Sequence, residues 1–426
     1  MERANALRGA IAGVIACEQE GRDKPHDKFQ SAMSVAALSP PLLGWLSARV
    51  DGLRRVALRD FDGMGCGVAA AEALRAGACV LRVPRACWEP FGADAARAAA
   101  PSAAARVDAV AASMGAGSAL ADSVLLAAAL VRQKRRPTPD DAPFVDSLPA
   151  SLDVPLLWPA ELQQALLAGT SCESTCAQQA ALSQVMHAAL RDGDGDDGAG
   201  PSLEELRWGQ SLILSRAHSG RGKPLALVPG LDLLNTGGHA APTAEVAFAD
   251  DGAFELVATR DHAPGEQLLI DYSTPTPHRM LRLYGFVPAR GDGGGAATEE
   301  ALLPLLPADG DGGAAAAARA LEAAGLGRTV ALRWADDGRS AVALPVPGAG
   351  APRSDAERNA LLVLGAALER QEARQRHGAA ACAAVMDHAG VDAAARRRAA
   401  AAADLHAAEA PLLRGASDAV AARMRG

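Results

Sequence analysis

An aspartate and an asparagine interrupt an apolar run in the middle of the chain. Asp232 and Asn235 stand three positions apart in residues 228–236, and Pro229 stiffens the start of this run. Buried polar groups need hydrogen-bond partners, and a carboxamide offers two donors and an acceptor, which suits the edge of an adenine ring. Taken alone, the pattern favours an Asx-type turn between two strands.

Three further segments place polar or aromatic residues next to apolar runs. Residues 215–218 read SRAH, residues 265–273 read GEQLLIDYS, and residues 280–286 read MLRLYGF. The two tyrosines of the chain, Tyr272 and Tyr284, lie in the last two of these segments. Core packing with a satisfied hydroxyl is the structural alternative. In a chain with only 3 % aromatic residues, two tyrosines so close together favour a function.

In order, these segments resemble the C-terminal half of a SET-domain methyltransferase of the Rubisco large-subunit lysine methyltransferase and actin-histidine methyltransferase subgroup. The family's motifs run SRxF, DxxNH, GEE followed by YG, and LLxxYGF, where this chain reads SRAH, DLLNT, GEQLLIDYS and MLRLYGF. The resemblance implies an α+β fold with a SET β-core, whose last motif threads through a loop in a rare pseudoknot-like arrangement. It also implies S-adenosyl-L-methionine as the cofactor and a protein as the substrate.

The resemblance assigns roles to individual residues. Tyr272 and Tyr284 are expected to be catalytic and to line a narrow channel, where aromatic faces favour a cationic transition state and a phenol oxygen contacts the amine or the methyl group. Arg216 is expected beside the cofactor carboxylate or the substrate, because a guanidinium suits a carboxylate fork. The implied cofactor-binding residues are Gly63, Met64, Gly65, Arg216, Asn235, Thr236 and Tyr272, and the implied substrate-binding residues are Arg216, Asp232, Tyr272, Tyr284 and Phe286.

Three positions depart from the family's pattern. Its Asn-His pair reads Asn235-Thr236 here, so one adenine-side contact is lost or is replaced by the threonine hydroxyl. His218 stands where the family has phenylalanine. Ser273 stands where it has glycine, which restricts the backbone at that turn. These departures keep open the alternative of a catalytically inactive SET scaffold that acts as a protein-binding module.

Methyl transfer from a sulfonium to an amine requires a neutral amine. A free lysine has a pKa near ~10.4, so its deprotonation at pH ~7.5 costs about 4 kcal/mol at ~1.36 kcal/mol per pKa unit. Desolvation in a channel and the nearby sulfonium charge both lower that pKa, and fixed geometry supplies a large part of the rate gain. We therefore expect a protein-lysine N-methyltransferase. Histidine is the nearest alternative acceptor, because imidazole is largely neutral above pH ~6.5.

A glycine cluster at residues 63–67 follows a strand-like segment and allows two interpretations. A strand, a G-x-G-x-G run and an Ala-rich stretch suggest a Rossmann turn. That turn also needs a helix of ten or more residues and a carboxylate about 20 positions on, but Gly77 interrupts the candidate helix and the next strand ends at Val83-Pro84-Arg85. The SET resemblance instead implies a hairpin whose glycines let the backbone pass close to the methionine part of the cofactor.

The length of 426 residues gives room for two or three domains. We predict a poorly ordered segment over 1–40, a SET domain over 41–290 with a helical insert at about 100–206, and a mostly helical domain over 299–426. The last resembles the substrate-binding domain of Rubisco methyltransferases. An Asp- and Gly-rich run at 192–198 lacks the bidentate glutamate of a calcium loop, so we interpret it as a linker.

Charge and cysteine usage restrict the partners. The net charge of −8 argues against general nucleic-acid or anionic-membrane binding, and no run reaches the ~18 apolar residues that span a bilayer. Cys172-x3-Cys176 has no second pair at zinc spacing, so we expect no metal site. The seven cysteines are scattered, so we expect a reducing compartment, either the cytoplasm or the plastid stroma. Since Cys-rich zinc segments are lacking, a non-histone protein substrate is favoured, and we expect a monomer.

Overall fold

The computed structural model describes residues 40–62, 64–191, 200–220, 223–237, 241–273, 276–288, 300–306, 314–335, 342–346 and 351–425. The predicted linker at 192–198 and all but the last residue of the predicted segment 1–40 lie outside these ranges. The chain divides into two compact units. The core unit comprises the described residues of Phe29–Leu152 and Gln179–Ser273, and the helical unit those of Asp153–Gln178 and Thr274–Gly426. The domain boundaries given above stay a prediction.

Helices make up most of the regular structure that is described. In the described ranges none of them is both long and apolar enough to cross a membrane. In chain order they are α1 (Pro40–Ser47), α2 (Arg85–Trp88), α3 (Ala93–Ala99), α4 (Pro101–Ser113), α5 (Ser118–Arg135), α6 (Ala142–Ser147), α7 (Ala160–Leu166), α8 (Ser171–Arg191), α9 (Leu203–Arg216), α10 (Pro277–Tyr284), α11 (Ala314–Ala323), α12 (Asp355–Asp387) and α13 (Ala393–Arg425). Short 3-10 turns lie at Leu53–Arg55, Glu89–Phe91, Pro155–Leu157 and Leu231–Leu233.

The strands are short and pair antiparallel. In the core unit, β1 pairs with β2, β7 lies between β3 and β6, and β4 pairs with β5. In the helical unit, β9 lies between β8 and β10. The strands are β1 (Val56–Phe61), β2 (Gly65–Ala70), β3 (Cys79–Val83), β4 (His218–Gly220), β5 (Lys223–Ala226), β6 (Ala244–Phe248), β7 (Phe254–Ala258), β8 (Glu300–Pro304), β9 (Thr329–Trp334) and β10 (Val342–Ala343).

Helix α9, whose C-terminal end carries Arg216, is fixed at its start and along one side. Ser202 and Glu205 form a reciprocal capping box, which satisfies two backbone N–H groups at the helix start. Gly209 lets α9 approach α5 closely, because a Cβ there would lie 2.9 Å from the carbonyl oxygen of Ala127. The helix therefore has one tightly packed face, and its last residue is held in a defined place.

The segment from Glu266 to Ile270 connects the hairpin β1–β2 to the turn at Asp232–Asn235. Its backbone bonds β2, where Ala70 N donates to Glu266 O and Leu268 N donates to Val68 O, both at 2.8 Å. Two residues further on, Ile270 N donates to Asn235 O at 2.9 Å. Residues distant in sequence are thus joined by main-chain hydrogen bonds, which fix backbone positions without depending on side-chain identity.

The helical unit packs its long helices α12 and α13 around two apolar clusters. Gly169, at φ +76°, precedes α8, and a Cβ there would lie 2.3 Å from the backbone nitrogen of Gln375 on α12. The carboxylate of Glu409, on α13, is buried and accepts from the backbone N–H of Ser171 at 3.0 Å. Burial raises the pKa of Glu409 to about 8, so this acid is largely neutral near pH ~7.

Candidate functional site

The hairpin and the Asp232–Asn235 turn meet at a glycine. The Asn235 Nδ2 donates to the carbonyl oxygen of Cys66 at 3.2 Å. A Cβ on Gly67 would lie 2.6 Å from that nitrogen and 2.7 Å from Nε2 of Gln267. Position 67 therefore has no room for a side chain while the two carboxamides keep their places. The glycine run predicted as a hairpin does form one, with Phe61 opposite Gly65.

Tyr272 is anchored to the same turn. Its hydroxyl donates to the carbonyl oxygen of Leu234 at 2.7 Å, and its side chain packs against the core cluster. Leu234 directly precedes Asn235, whose backbone forms a parallel bridge with Leu269. Thr236 follows and is buried. The structure thus brings together Tyr272, Asn235 and Thr236, which the sequence placed in two separate motifs.

Arg216 and Asp232 form the polar side of this cluster. The Arg216 Nη1 donates to the backbone carbonyl oxygen of Asp232 at 2.8 Å. The same nitrogen lies 3.9 Å from the Asp232 carboxylate. That carboxylate is buried and accepts from the backbone N–H of Gly230 at 2.9 Å. A guanidinium and a carboxylate are therefore held side by side, with the carboxylate facing the protein interior.

Burial shifts the pKa values of three groups in this region. It raises the pKa of Asp232 to about 6, although Arg216 and the bond from Gly230 lower it. It raises the pKa of the Cys66 thiol to about 11, and nearby Asp60 and Asp232 act in the same direction. It lowers the pKa of His218 to about 4. Cys66 and His218 are therefore neutral near pH ~7, and Asp232 changes charge just below it.

The remaining predicted residues are placed separately. Gly63 lies outside the described residues, Met64 is exposed at the hairpin turn, and Gly65 takes φ +70° at the start of β2. Tyr284 and Phe286 belong to the helical unit, where Tyr284 is the last residue of α10 and Phe286 is 38 % exposed.

Gly285, between those two aromatic residues, has a strict backbone requirement. It adopts φ +83°, and a Cβ on it would lie 2.3 Å from the carbonyl oxygen of Asp153. Both the conformation and the close approach demand glycine. The YGF sequence therefore ends α10 at a fixed point and sets the direction in which Phe286 continues.

Ser273 adopts a backbone conformation that favours glycine. Its φ of +52° is in the left-handed region, and its N–H bonds the Asp271 carboxylate at 2.7 Å. A non-glycine residue there costs roughly 1–2 kcal/mol. The turn after Tyr272 thus keeps a glycine-like path at an energetic cost.

Two residues of the cluster have no role in the sequence motifs. Gln267 lies in the GEQ motif but was given no role, and Leu234 acts only through its carbonyl oxygen, which any residue would supply. Gly67 was the available signal for the contact with Gln267, because a Cβ there would lie 2.7 Å from Gln267 Nε2. Nothing in the side chain of Leu234 could have indicated its bond to Tyr272.

Within the described ranges, no group of three or more His, Cys, Asp or Glu side chains is arranged to hold a metal ion. Cys172 and Cys176, considered above as a zinc pair, are buried one helical turn apart with their sulfurs separated by 3.7 Å. They pack within the apolar cluster of the helical unit. The two thiols therefore belong to its core.

Solved structures share this fold along nearly the whole chain. The SET domain of LSMT bound to MeLysine and AdoHcy superimposes with a TM-score of 0.65 and 18 % identity, covering 90 % of this chain and 92 % of that chain. Rubisco LSMT bound to AdoMet gives a TM-score of 0.58 and 16 % identity, with the same coverage. Rubisco LSMT bound to Sinefungin and Monomethyllysine gives 0.59 and 17 %, again with the same coverage.

Sequence comparison finds a partial relative and no matching family model. The chain is 26 % identical to the actin-histidine N-methyltransferase of Danio rerio in an alignment 184 residues long that covers 38 % of this chain. The matched part spans 29 % of the length of that relative. No protein-family model matches the sequence. The structural similarity establishes a SET-domain fold of the Rubisco LSMT type, so the predicted mixed α and β architecture and the recognition of the fold are confirmed.

Proposed function

We propose that this chain is an S-adenosylmethionine-dependent protein N-methyltransferase with a lysine side chain as the favoured acceptor. The observation that carries the proposal is the position of Tyr272, whose hydroxyl is fixed on the carbonyl oxygen of Leu234 next to Asn235. The fold is shared with Rubisco LSMT bound to AdoMet and with the SET domain of LSMT bound to Lysine and AdoHcy. A second acceptor, histidine, is supported by the similarity to the actin-histidine N-methyltransferase.

The hydrogen-bonding groups of the core unit fit S-adenosylmethionine. Arg216 uses Nη1 on the Asp232 carbonyl, and a guanidinium has further N–H donors that suit a carboxylate. Gly67 lets the Asn235 carboxamide lie directly against the β2 backbone, because a Cβ there would be 2.6 Å from Asn235 Nδ2. We infer that Arg216 binds the carboxylate of the donor, and that Gly63, Met64, Gly65, Asn235 and Thr236 bind the rest of it. When bound, S-adenosylmethionine supplies an electrophilic methyl group.

Tyr272 is suited to orient an acceptor amine and is unsuited to remove its proton. A carbonyl acceptor stabilises the protonated phenol, because it can only receive a hydrogen bond. The Tyr272 hydroxyl donates a hydrogen bond to Leu234 O, and a phenol oxygen is also an acceptor that suits an amine N–H. Tyr272 therefore holds a neutral amine in place, and the amine loses its proton through desolvation before transfer.

The helical unit is the proposed contributor of substrate contacts. Tyr284 ends α10 with partial burial, and Phe286 presents an apolar surface that is 38 % exposed. Aromatic residues of this kind commonly anchor protein partners. We propose that Tyr284 takes part in catalysis and that Phe286 binds a non-histone protein substrate, with the region 299–426 contributing the remaining docking surface.

Calorimetry and a single substitution test the proposal. The full chain is titrated with S-adenosylmethionine, and methyl transfer to a protein extract is then measured for the wild type, for Tyr272→Phe and for a control. Tyr272→Phe should keep cofactor binding and lose on the order of 10- to 100-fold in transfer rate, because the ring is no longer fixed by its hydroxyl. Thr259→Val removes an exposed hydroxyl bonded to Pro242 in the same unit and should change neither property.

The outcomes separate the candidate functions. Absence of S-adenosylmethionine binding at millimolar concentration would contradict the proposed methyltransferase function. It would favour the inactive protein-binding scaffold. Full activity of Tyr272→Phe would show that the assigned role of Tyr272 is wrong. Mass spectrometry of the methylated product distinguishes lysine from histidine as the acceptor.

A further inference from the structure

The position of Asp232 is hard to reconcile with direct contact to a protein substrate. Its side chain is 5 % exposed, and its Oδ1 faces the backbone N–H of Gly230. The Arg216 side chain beside it is 20 % exposed, so it reaches towards solvent where Asp232 does not. Any ligand at this place therefore meets the guanidinium first, and the carboxylate acts on the ligand through that guanidinium.

Asp232 holds Arg216 in two ways. Its backbone carbonyl accepts from Nη1 at 2.8 Å, and its carboxylate lies 3.9 Å from the same nitrogen. The bond from Gly230 N to the carboxylate closes the turn that presents this carbonyl. The first contact fixes the direction of the guanidinium. The second partly neutralises its charge, because opposite charges at this separation interact strongly when partly buried.

From this geometry we propose that Asp232 is a positioning residue for Arg216, and that its ionisation controls how strongly Arg216 holds the carboxylate of the methyl donor. The inference rests on the proposed function, because it takes that carboxylate as the ligand of Arg216. An ionised Asp232 competes with the carboxylate of the methyl donor for the guanidinium of Arg216. A protonated Asp232 leaves the full charge of Arg216 to the donor and keeps the backbone contact.

Other groups near Asp232 do not produce the same pH dependence. Helix α9 contributes the guanidinium cation of Arg216. Strand β2 contributes Cys66, and burial raises the pKa of that thiol to about 11. His218, which follows α9, has its pKa lowered to about 4 by burial, with Lys223 acting in the same direction. Among these groups, Asp232 alone is expected to titrate between about pH 5 and about pH 7.5.

The direction of the effect follows from linkage. When the carboxylate of the methyl donor binds Arg216, it weakens the attraction between Arg216 and the ionised Asp232. It also places a second negative charge near Asp232. Binding of the methyl donor therefore raises the pKa of Asp232. Binding therefore takes up a proton near pH 6, and affinity falls as pH rises through that value. A rise of about one pKa unit corresponds to roughly tenfold weaker binding at pH ~7.5 than at pH ~5.

Calorimetric titration with sinefungin, an analogue that carries the same carboxylate, tests the inference on the full chain. Wild type, Asp232→Asn and Asp251→Asn are compared across this pH range. Asparagine keeps an oxygen for the Gly230 N–H and removes the charge, whereas Asp251 is an exposed aspartate that pairs with Arg82 in the same unit. We expect wild type and Asp251→Asn to lose affinity roughly tenfold with rising pH. Asp232→Asn should bind with a flat profile, and more tightly than wild type at pH ~7.5.

A second measurement keeps the test independent of how well Asp232→Asn folds. Wild-type titrations at pH ~6 in two buffers of different ionisation enthalpy report protons exchanged on binding. Net uptake of protons when sinefungin binds supports the inference. A pH-independent affinity of wild type, no proton uptake, or a wild-type profile in folded Asp232→Asn would each overturn it while the proposed function stands. Failure of wild type to bind sinefungin at any pH would overturn the proposed function, and this inference with it.

Discussion

Replacement of Gly67 by alanine tests whether the hairpin and the Asn235 turn are as closely joined as the structure indicates. The new Cβ would lie 2.6 Å from Asn235 Nδ2, 2.7 Å from Gln267 Nε2 and 3.0 Å from a ring carbon of Phe61. Contacts this short require at least one neighbour to move. The carboxamide of Asn235 is the nearest of them, so its bond to Cys66 is the first to break.

The cost can be worked from these contacts. Overpacking a closely packed site costs about 1–3 kcal/mol. Leaving the carbonyl of Cys66 without its partner adds about 1–3 kcal/mol, partly offset if water reaches it. We expect Gly67→Ala to lower the free energy of unfolding of the core unit by about 2–4 kcal/mol. Because Asn235 moves, sinefungin binding should also weaken, by roughly tenfold or more.

Urea denaturation followed by circular dichroism measures the first effect, and calorimetry the second. Gly44→Ala is the matched control, because Gly44 is helical and has nothing within 4 Å of its added Cβ. Alanine there should be neutral or stabilise by about 0.5–1 kcal/mol. Equal stabilities of Gly67→Ala and Gly44→Ala would refute the close approach of Asn235 to the hairpin.

Two further substitutions test other parts of the structure. Ser273→Gly should stabilise the core unit by up to about 1 kcal/mol in chemical denaturation, because glycine takes φ +52° without strain; a loss of stability would contradict the left-handed turn after Tyr272. Glu409→Gln should be more stable than wild type at pH ~7.5 and similar at pH ~4.5. The folded pKa of about 8 lies above the ordinary value of 4.5, so the unfolded chain releases its proton first and stability falls between those two pH values. That fall amounts to up to about 4 kcal/mol, and equal pH dependence in both proteins would contradict the buried position of Glu409.

The sequence predicted those parts of the fold that follow from local pattern. The SET resemblance predicted the hairpin around Gly65, and the region 299–426, predicted from the sequence as mostly helical, contains α12 and α13. The fold class followed from the order of the motifs. These features depend on neighbours along the chain, so they are visible before any tertiary contact is known.

The contacts that make the cluster were beyond prediction, because they join residues far apart in sequence. Asn235 bonds Cys66 across 169 positions, through a backbone carbonyl that carries no signal of its own. The bond from Tyr272 to Leu234 and the bond from Arg216 to the Asp232 carbonyl are of the same kind. The left-handed conformation of Ser273 was also hidden, since the residue type disfavours it.

Methylation of a protein by this chain is the most direct test of the account. The full chain is incubated with isotope-labelled S-adenosylmethionine and a protein extract, and labelled sites are mapped by mass spectrometry. The account predicts labelled methyl groups on lysine side chains of a non-histone protein, reduced on the order of 10- to 100-fold with Tyr272→Phe. An extract without labelled protein, together with no measurable binding of the cofactor, would contradict it.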